Sequence, residues 1–346
     1  MDNIQMAVDA LNSHLIDGVG LGRPLLSDPD YCNKVRSGHP EQIRPCLGCH
    51  DGCFGRLLQS GLGSCAVNPE CGREDTVGIR KAEQKKKVVV IGGGPAGLEA
   101  ARVSALRGHD VTLLEAKGQL GGALVIAGVP KFKEDDRDLV AWYSEELSRL
   151  GVDVKLNTKA TKESVAALHP DTVLMAEGST PVIPKIDGVD NAVLAQDVML
   201  GNVEAKDNII VIGGGLVGCE LSLHLAQNGK KVTIVEALPD ILKSGSPMPP
   251  MNEWMLRDLL TFNQVEIVAG AKVTAIAPDG LTYEKDGEVK TLSGDQVVLS
   301  IGYRSTHSLF DELKYDYAEI YNLGDSRQVR NIRGAIWDAY EVARSL

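Results

Sequence analysis

At 346 residues the chain is long enough for about two domains, each able to bury its own core, and its 36 basic against 47 acidic residues leave a net charge of -11. That balance works against a nucleic-acid backbone or an anionic bilayer as principal partner. No apolar run reaches the roughly 18 residues of a membrane span, and residues 1–10 lack the basic-then-apolar pattern of a signal peptide, so a soluble, cytoplasmic protein is expected.

Taken in chain order, the first feature is a glycine-rich run at 18–24, which includes Gly22 and Arg23. Six of the seven cysteines then fall between Cys32 and Cys71, with only Cys219 beyond, which points to a local metal site rather than a disulfide scaffold. Cys46, Cys49, Cys53 and Cys65 form a C-x2-C-x3-C-x11-C pattern among glycines 48, 52, 55, 61 and 63, which let the backbone fold around a compact inorganic core. Four thiolates suit either zinc or a 4Fe-4S cluster. Zinc sites more often pair two C-x2-C units, so three close cysteines and one distant one favour the cluster. Cys71 is an alternative to Cys65, although the Gly-Arg-Glu after it reads as linker. Cys32 and Cys219 read as buried thiols. His14, His39 and His50 read as surface or packing residues. Lys85, Lys86 and Lys87 read as a solvated linker before a strand.

An internal repeat follows. Residues 87–116 align without gaps on 208–237 with 13 identities. Each copy opens with a β-branched run, turns through glycines, continues with helix periodicity and ends a second apolar strand on glutamate. This is a βαβ unit for a dinucleotide. Gly92 or Gly213 permits the tight turn, Gly94 or Gly215 lets the backbone approach a pyrophosphate, and Gly97 or Gly218 allows close helix-to-sheet packing. Pro95 and Ala96, or their counterparts, open a helix whose N-terminus favours an anion. Glu115 and Glu236 lie 21 residues beyond the middle glycine, where a carboxylate accepts ribose hydroxyls and repels a 2′-phosphate. With Ala237, Leu238 and Pro239 offering no cation, the second unit should prefer NADH to NADPH. Glu99 and Glu220 occupy equivalent helix positions, which packing explains as well as cofactor contact does. The loop 243–250, rich in Pro, Gly and Ser, carries no assigned role.

The repeat, with Gly121-Gly122, Ala176-Glu177-Gly178 and the C-terminal Leu323-Gly324-Asp325, resembles the flavoprotein reductases in which an NAD domain is inserted into an FAD domain. That resemblance implies an α/β protein with two Rossmann-like domains, FAD at the first glycine turn (Gly92, Gly94, Pro95, Ala96, Gly97, Glu115, Gly122, Ala176, Gly324, Asp325) and NADH at the second (Gly213, Gly215, Gly218, Glu236). It further implies that Asp325 contacts the flavin ribityl chain and that a helix starting near Gly334 faces the flavin pyrimidine edge. Glu177 stands where that family usually has threonine. The family's Cys-x4-Cys redox disulfide is absent from the sequence, so electrons leaving FAD need another acceptor.

The cysteine stretch is similar to the iron-sulfur segment of 2-enoate reductase, 2,4-dienoyl-CoA reductase and trimethylamine dehydrogenase. In that family a 4Fe-4S cluster passes single electrons from FAD to FMN in an N-terminal (β/α)8 barrel, where the hydride goes to an activated C=C bond. By that resemblance 18–24 is the eighth barrel strand and phosphate loop, with Gly22 and Arg23 as FMN-phosphate residues. The expected partition is a barrel remnant at 1–45, the iron-sulfur segment at 46–80, an FAD domain at 86–205 and 302–346, and an NAD(H) domain at 206–301. A full barrel takes about 250 residues. FMN would therefore bind only if a barrel domain or an electron-accepting subunit supplied the rest, and residues 1 to about 40 are expected to be poorly ordered or repacked on the FAD domain. The expected activity is an NADH-oxidising half-reaction with no nameable catalytic side chain. An electron-donor subunit similar to the small subunit of glutamate synthase, and a nucleotide-binding remnant without turnover, are the other readings.

Overall fold

The computed structural model describes residues 3–346. Two parallel five-stranded sheets dominate it. The first has the order Ile320–Asn322, Thr172–Met175, Lys87–Ile91, Asp110–Leu114, Asp153–Lys155. The second has the order Ala192–Leu194, Gln296–Leu299, Asn208–Ile212, Lys231–Glu236, Glu266–Ala269. The central strands bury four of their five residues because helices or other elements cover both faces of a parallel sheet. Since Ile320–Asn322 returns to the edge of the first sheet after the whole second sheet is complete, the second unit is inserted in the first. The two crossings pair with each other, Ser179–Pro181 running antiparallel to Tyr303–Ser305. A three-stranded antiparallel meander, Lys272–Ala277, Gly280–Lys285 and Glu288–Ser293, decorates the insert.

Helix Pro95–Arg107 is buried without a break from Ala96 to Ser104. Sheet lies on one side of it, and helices Glu134–Arg149 and Ile332–Ala343 lie on the others. Proline at its first turn and Gly108 in a left-handed C-terminal position, φ 101°, set its ends. Its glutamate is structural: Glu99 is fully buried, takes a bidentate bond from Arg102 at 2.9 Å and accepts the Tyr143 hydroxyl at 3.0 Å. A Cβ on Gly97 would overlap the Gly92 carbonyl oxygen. Gly97→Ala is therefore expected to lower the unfolding free energy by about 3 kcal/mol, read from the denaturation midpoint.

Three expectations need correction. Residues 18–24 form no barrel strand: the chain is irregular to Gly22 and then helical from Arg23 to Ser27, and among the described residues no strand precedes Lys87. A parallel strand needs bonded neighbours, and none adjoins it. Helix Ile4–Asn12 buries none of its residues, whereas from Pro24 onward the segment packs down, with Leu26 O accepting from Asn68 and Gln42 O from the Trp142 indole. Second, the inserted unit draws in Ala192–Leu194 and helix Ala195–Met199, ahead of position 206, because the strand completes its sheet edge and Ala195, Val198 and Met199 enter its core. Third, Cys32 is exposed, lying on a short helix, Tyr31–Ser37, whose only buried residue is Tyr31. Cys219 is buried as expected.

Candidate functional site

Strand Lys87–Ile91 ends at Gly92, whose φ of 99° and approach to the Ala176 carbonyl exclude a side chain. The chain then turns so that Gly94 caps helix Pro95–Arg107 without any side-chain cap. Near a Cβ on Gly94 only Gly122 Cα would stand, at 3.8 Å, so the helix N-terminus faces open space suited to an anion. Glu115 follows strand Asp110–Leu114, is buried, and accepts Gly93 N at 2.6 Å and Lys117 N at 2.7 Å. Each oxygen keeps a lone pair for a ribose hydroxyl.

The second turn repeats this geometry. Gly213 abuts the Ser300 carbonyl, Gly218 abuts the Gly213 carbonyl, and Gly215 caps helix Leu216–Gln227. Glu236 accepts Gly214 N at 2.6 Å and Leu238 N at 2.7 Å. The difference lies in front of the turn, where Ser244 Oγ is 3.0 Å from the position of a Gly215 Cβ.

Gly324-Asp325 reaches the first turn from the C-terminus, for a Cβ on Gly324 would stand 2.6 Å from Ala96 Cβ. Asp325 accepts Arg330 N at 2.9 Å and the Ser179 hydroxyl at 3.3 Å; burial pushes its carboxyl pKa up, and these bonds act the other way. Helix Ile332–Ala343 begins beside it, with Asn331 Oδ1 accepting Gly334 N at 2.9 Å. Glu177 accepts Leu309 N and Phe310 N at 3.2 and 3.0 Å, so here the carboxylate holds the start of helix Ser308–Leu313.

Cys46, Cys49, Cys53 and Cys65 wall one small cavity together with Arg23, Leu47 and His50. Cys71 instead lines the adjoining groove with Phe54, Leu57 and Met251, so the cavity brings in Cys65 rather than Cys71. Gly52 makes this possible, since a Cβ there would overlap the backbone at Cys65 and Ala66. Burial pushes the Cys49 thiol up to about 12 and the Cys65 thiol up to about 11, and raises Cys46. Backbone N–H groups of Gly48, Asp51, Val67 and Asn68 beside these sulfurs pull the other way. Half-buried thiols with backbone N–H groups nearby fit a cationic inorganic core, which would hold them as thiolates. Among the described residues no three His, Cys, Asp or Glu side chains close around a point for one metal ion.

The cavity is stapled to the C-terminal helix. Asn331 Nδ2 donates to Asp51 Oδ2 at 2.9 Å, Arg333 pairs with Asp51 at 3.2 Å, and the Trp337 indole donates to Cys65 O at 3.0 Å. Arg23, expected at an FMN phosphate, is held by His50 at 2.9 Å. His50 is therefore more than a surface residue, for its other nitrogen meets Asn252 Oδ1 at 2.7 Å. Sequence reasoning also missed Lys133. It reaches Glu220 on the inserted unit at 2.7 Å, and although burial disfavours its charge, Glu220 and Asp136 raise its pKa overall. Lys133 sits among surface-type charges in the sequence, so nothing there marked it.

Comparison with known proteins gives a consistent set of matches. The pyridine nucleotide-disulphide oxidoreductase family matches residues 86–322. A cinnamate reductase of Clostridium sporogenes is 46% identical over all of this chain and 52% of its own length. An NADH oxidase of Thermoanaerobacter brockii is 39% identical over 94% of this chain and 51% of its own. The solved 2-naphthoyl-CoA reductase complex with 2-naphthoyl-CoA superposes with a TM-score of 0.96 at 31% identity, covering 100% of this chain and 53% of that one. The chain thus spans about half the length of the curated relatives it matches, and it fits the enoate-reductase group among them. No helix among the described residues is long and apolar enough to cross a membrane.

Proposed function

The chain belongs to the pyridine nucleotide-disulphide oxidoreductase family, and from that premise we propose that it is the NADH-oxidising electron-transfer module of an enoate-reductase-like oxidoreductase. The observation that carries this reading is the staple between the cysteine cavity and the cap of helix Ile332–Ala343, because Asp51 lies between Cys49 and Cys53 and bonds the residue that opens that helix. Bound FAD would accept a hydride from NADH, and a 4Fe-4S cluster would carry electrons onward singly to FMN in a barrel domain that reduces C=C bonds.

In this reading Gly92, Gly94, Pro95, Ala96 and Gly97 present the helix N-terminus to the FAD pyrophosphate, with Glu115 on the ribose and Gly122 and Ala176 walling the turn. Asp325 is held by Arg330 and Ser179 for the ribityl chain. The N-terminus of helix Ile332–Ala343 favours negative charge on the reduced ring. Gly213, Gly215, Gly218 and Glu236 hold NADH. Cys46, Cys49, Cys53 and Cys65, which wall one cavity, hold the cluster. Lys133 and Glu220 tie the two units together where the dinucleotide helix of the insert begins.

The barrel would dock where the cavity opens. Leu26, Phe54 and Leu57 are exposed there, along a groove that Met251 of helix Pro250–Phe262 also lines. Relatives about twice as long supply the reason to expect a further domain, and the exposed apolar side chains at the groove the reason to place it there. The test is cofactor analysis of anaerobically purified protein: about one FAD and about four iron per chain are expected. One zinc and no iron, or no flavin, would contradict the reading.

A further inference from the structure

The loop rich in Pro, Gly and Ser joins the two sites. At one end Leu242 N donates to Gly214 O at 2.8 Å, and Ser244 stands before Gly215. At the other end buried Pro249 packs on buried Gly55, its Cγ 3.0 Å from the Cβ that Gly55 lacks, and Asn252 meets His50. The ends are not independent. Lys243 pairs with Glu253 at 3.0 Å, while Arg257 holds Asp240 at 2.8 Å, Glu253 at 3.0 Å and the Ile241 carbonyl at 2.9 Å. Residues 240–243 and the helix that carries Asn252 are thus joined through one set of ion pairs.

His50 is oriented from both sides. The Arg23 guanidinium can only donate, so Nε2 of His50 accepts, and Nδ1 carries the proton that it donates to Asn252 Oδ1. His50 lies directly between Cys49 and Asp51 in a left-handed backbone conformation, φ 54°, and its carbonyl accepts Gly55 N at 2.8 Å. A shift of its backbone moves the chain between Cys49 and Cys53.

We propose that Asn252 and His50 are positioning residues through which a dinucleotide at the second glycine turn is sensed at the cysteine cavity. The proposal rests on the second turn being the NADH site. A pyrophosphate at Gly215 needs the space beside Ser244 and attracts the Lys243 ammonium away from Glu253, which loosens the clamp on the turn before Asn252. The Asn252 bond then relays that change to His50.

Hydrogen–deuterium exchange of the full chain with NAD+, the oxidised form that delivers no electrons, reads the coupling directly. NAD+ is expected to slow exchange at 213–218 and to change exchange at 49–56 by about threefold or more. Asn252→Leu should keep the first response and lose the second, and Asn252→Asp, which retains the accepting oxygen, should restore it. A response at 49–56 that survives in Asn252→Leu, or is absent in the native chain although 213–218 is protected, overturns the coupling alone. Absence of protection at 213–218 overturns it together with the NADH reading on which it rests.

Discussion

Cys49→Ser protein is expected to bind FAD and bleach with NADH at nearly the native rate, yet to hold little iron and to reduce one-electron acceptors at least ~100-fold more slowly. Cys49 is the best choice because it is half-buried and part of the cavity wall, while contributing nothing to either glycine turn. A serine oxygen is smaller and a poorer ligand for iron than a thiolate, so the cluster should lose its grip without a change in fold. Iron analysis, visible spectra and paired assays with two-electron and one-electron acceptors separate the outcomes. Equal loss with both acceptor types would mean that Cys49 supports the flavin site itself and that the cavity is not a separate electron exit.

Glu236→Ala is expected to weaken NADH binding by ~10- to 100-fold and to narrow the discrimination against NADPH, since each bond to a charged group contributes about 1.5–3 kcal/mol. The carboxylate ties the glycine turn, through Gly214 N, to the turn after the strand, through Leu238 N. Removing it leaves two N–H groups unpaired and takes away the charge that repels a 2′-phosphate. Kd values for both reduced nucleotides, measured against the native chain, decide the matter. An unchanged NADH Kd would show that Glu236 only shapes the turn. The equivalent Glu115→Ala change should instead lower FAD content.

The glycine turns were legible in the sequence because their chemistry is local. Spacing fixes which glycine meets which carbonyl, and the terminal glutamates stand where the second strand ends. Insertion of one unit in the other was expected only through the family resemblance to which Leu323-Gly324-Asp325 contributed. What spacing could not supply was the choice between Cys65 and Cys71, which depends on Gly52 lying against the backbone at Cys65. His50 and Asn252 are 202 residues apart, and their bond exists only after two units have packed. Lys133 carried no signal in the sequence for the same reason, since its partner Glu220 lies in the inserted unit. Ala192–Leu194 escaped notice because a three-residue strand carries almost no periodicity, and 18–24 was read as a strand although strand identity depends on neighbours. Glu99 and Glu220 show how one repeated position serves two ends, a buried pair with Arg102 inside one unit and a bridge to Lys133 between units.

The central claim is that electrons from NADH cross FAD and reach the cysteine cavity within this one chain. Anaerobic visible titration of iron-loaded protein with NADH, followed at both the flavin and the broad cluster absorbance, tests it most directly. Flavin bleaching is expected to be accompanied by loss of cluster absorbance in the native chain, with only the flavin responding in Cys49→Ser. A flavin that bleaches fully while native cluster absorbance stays constant, or a flavin inert to NADH, would contradict it.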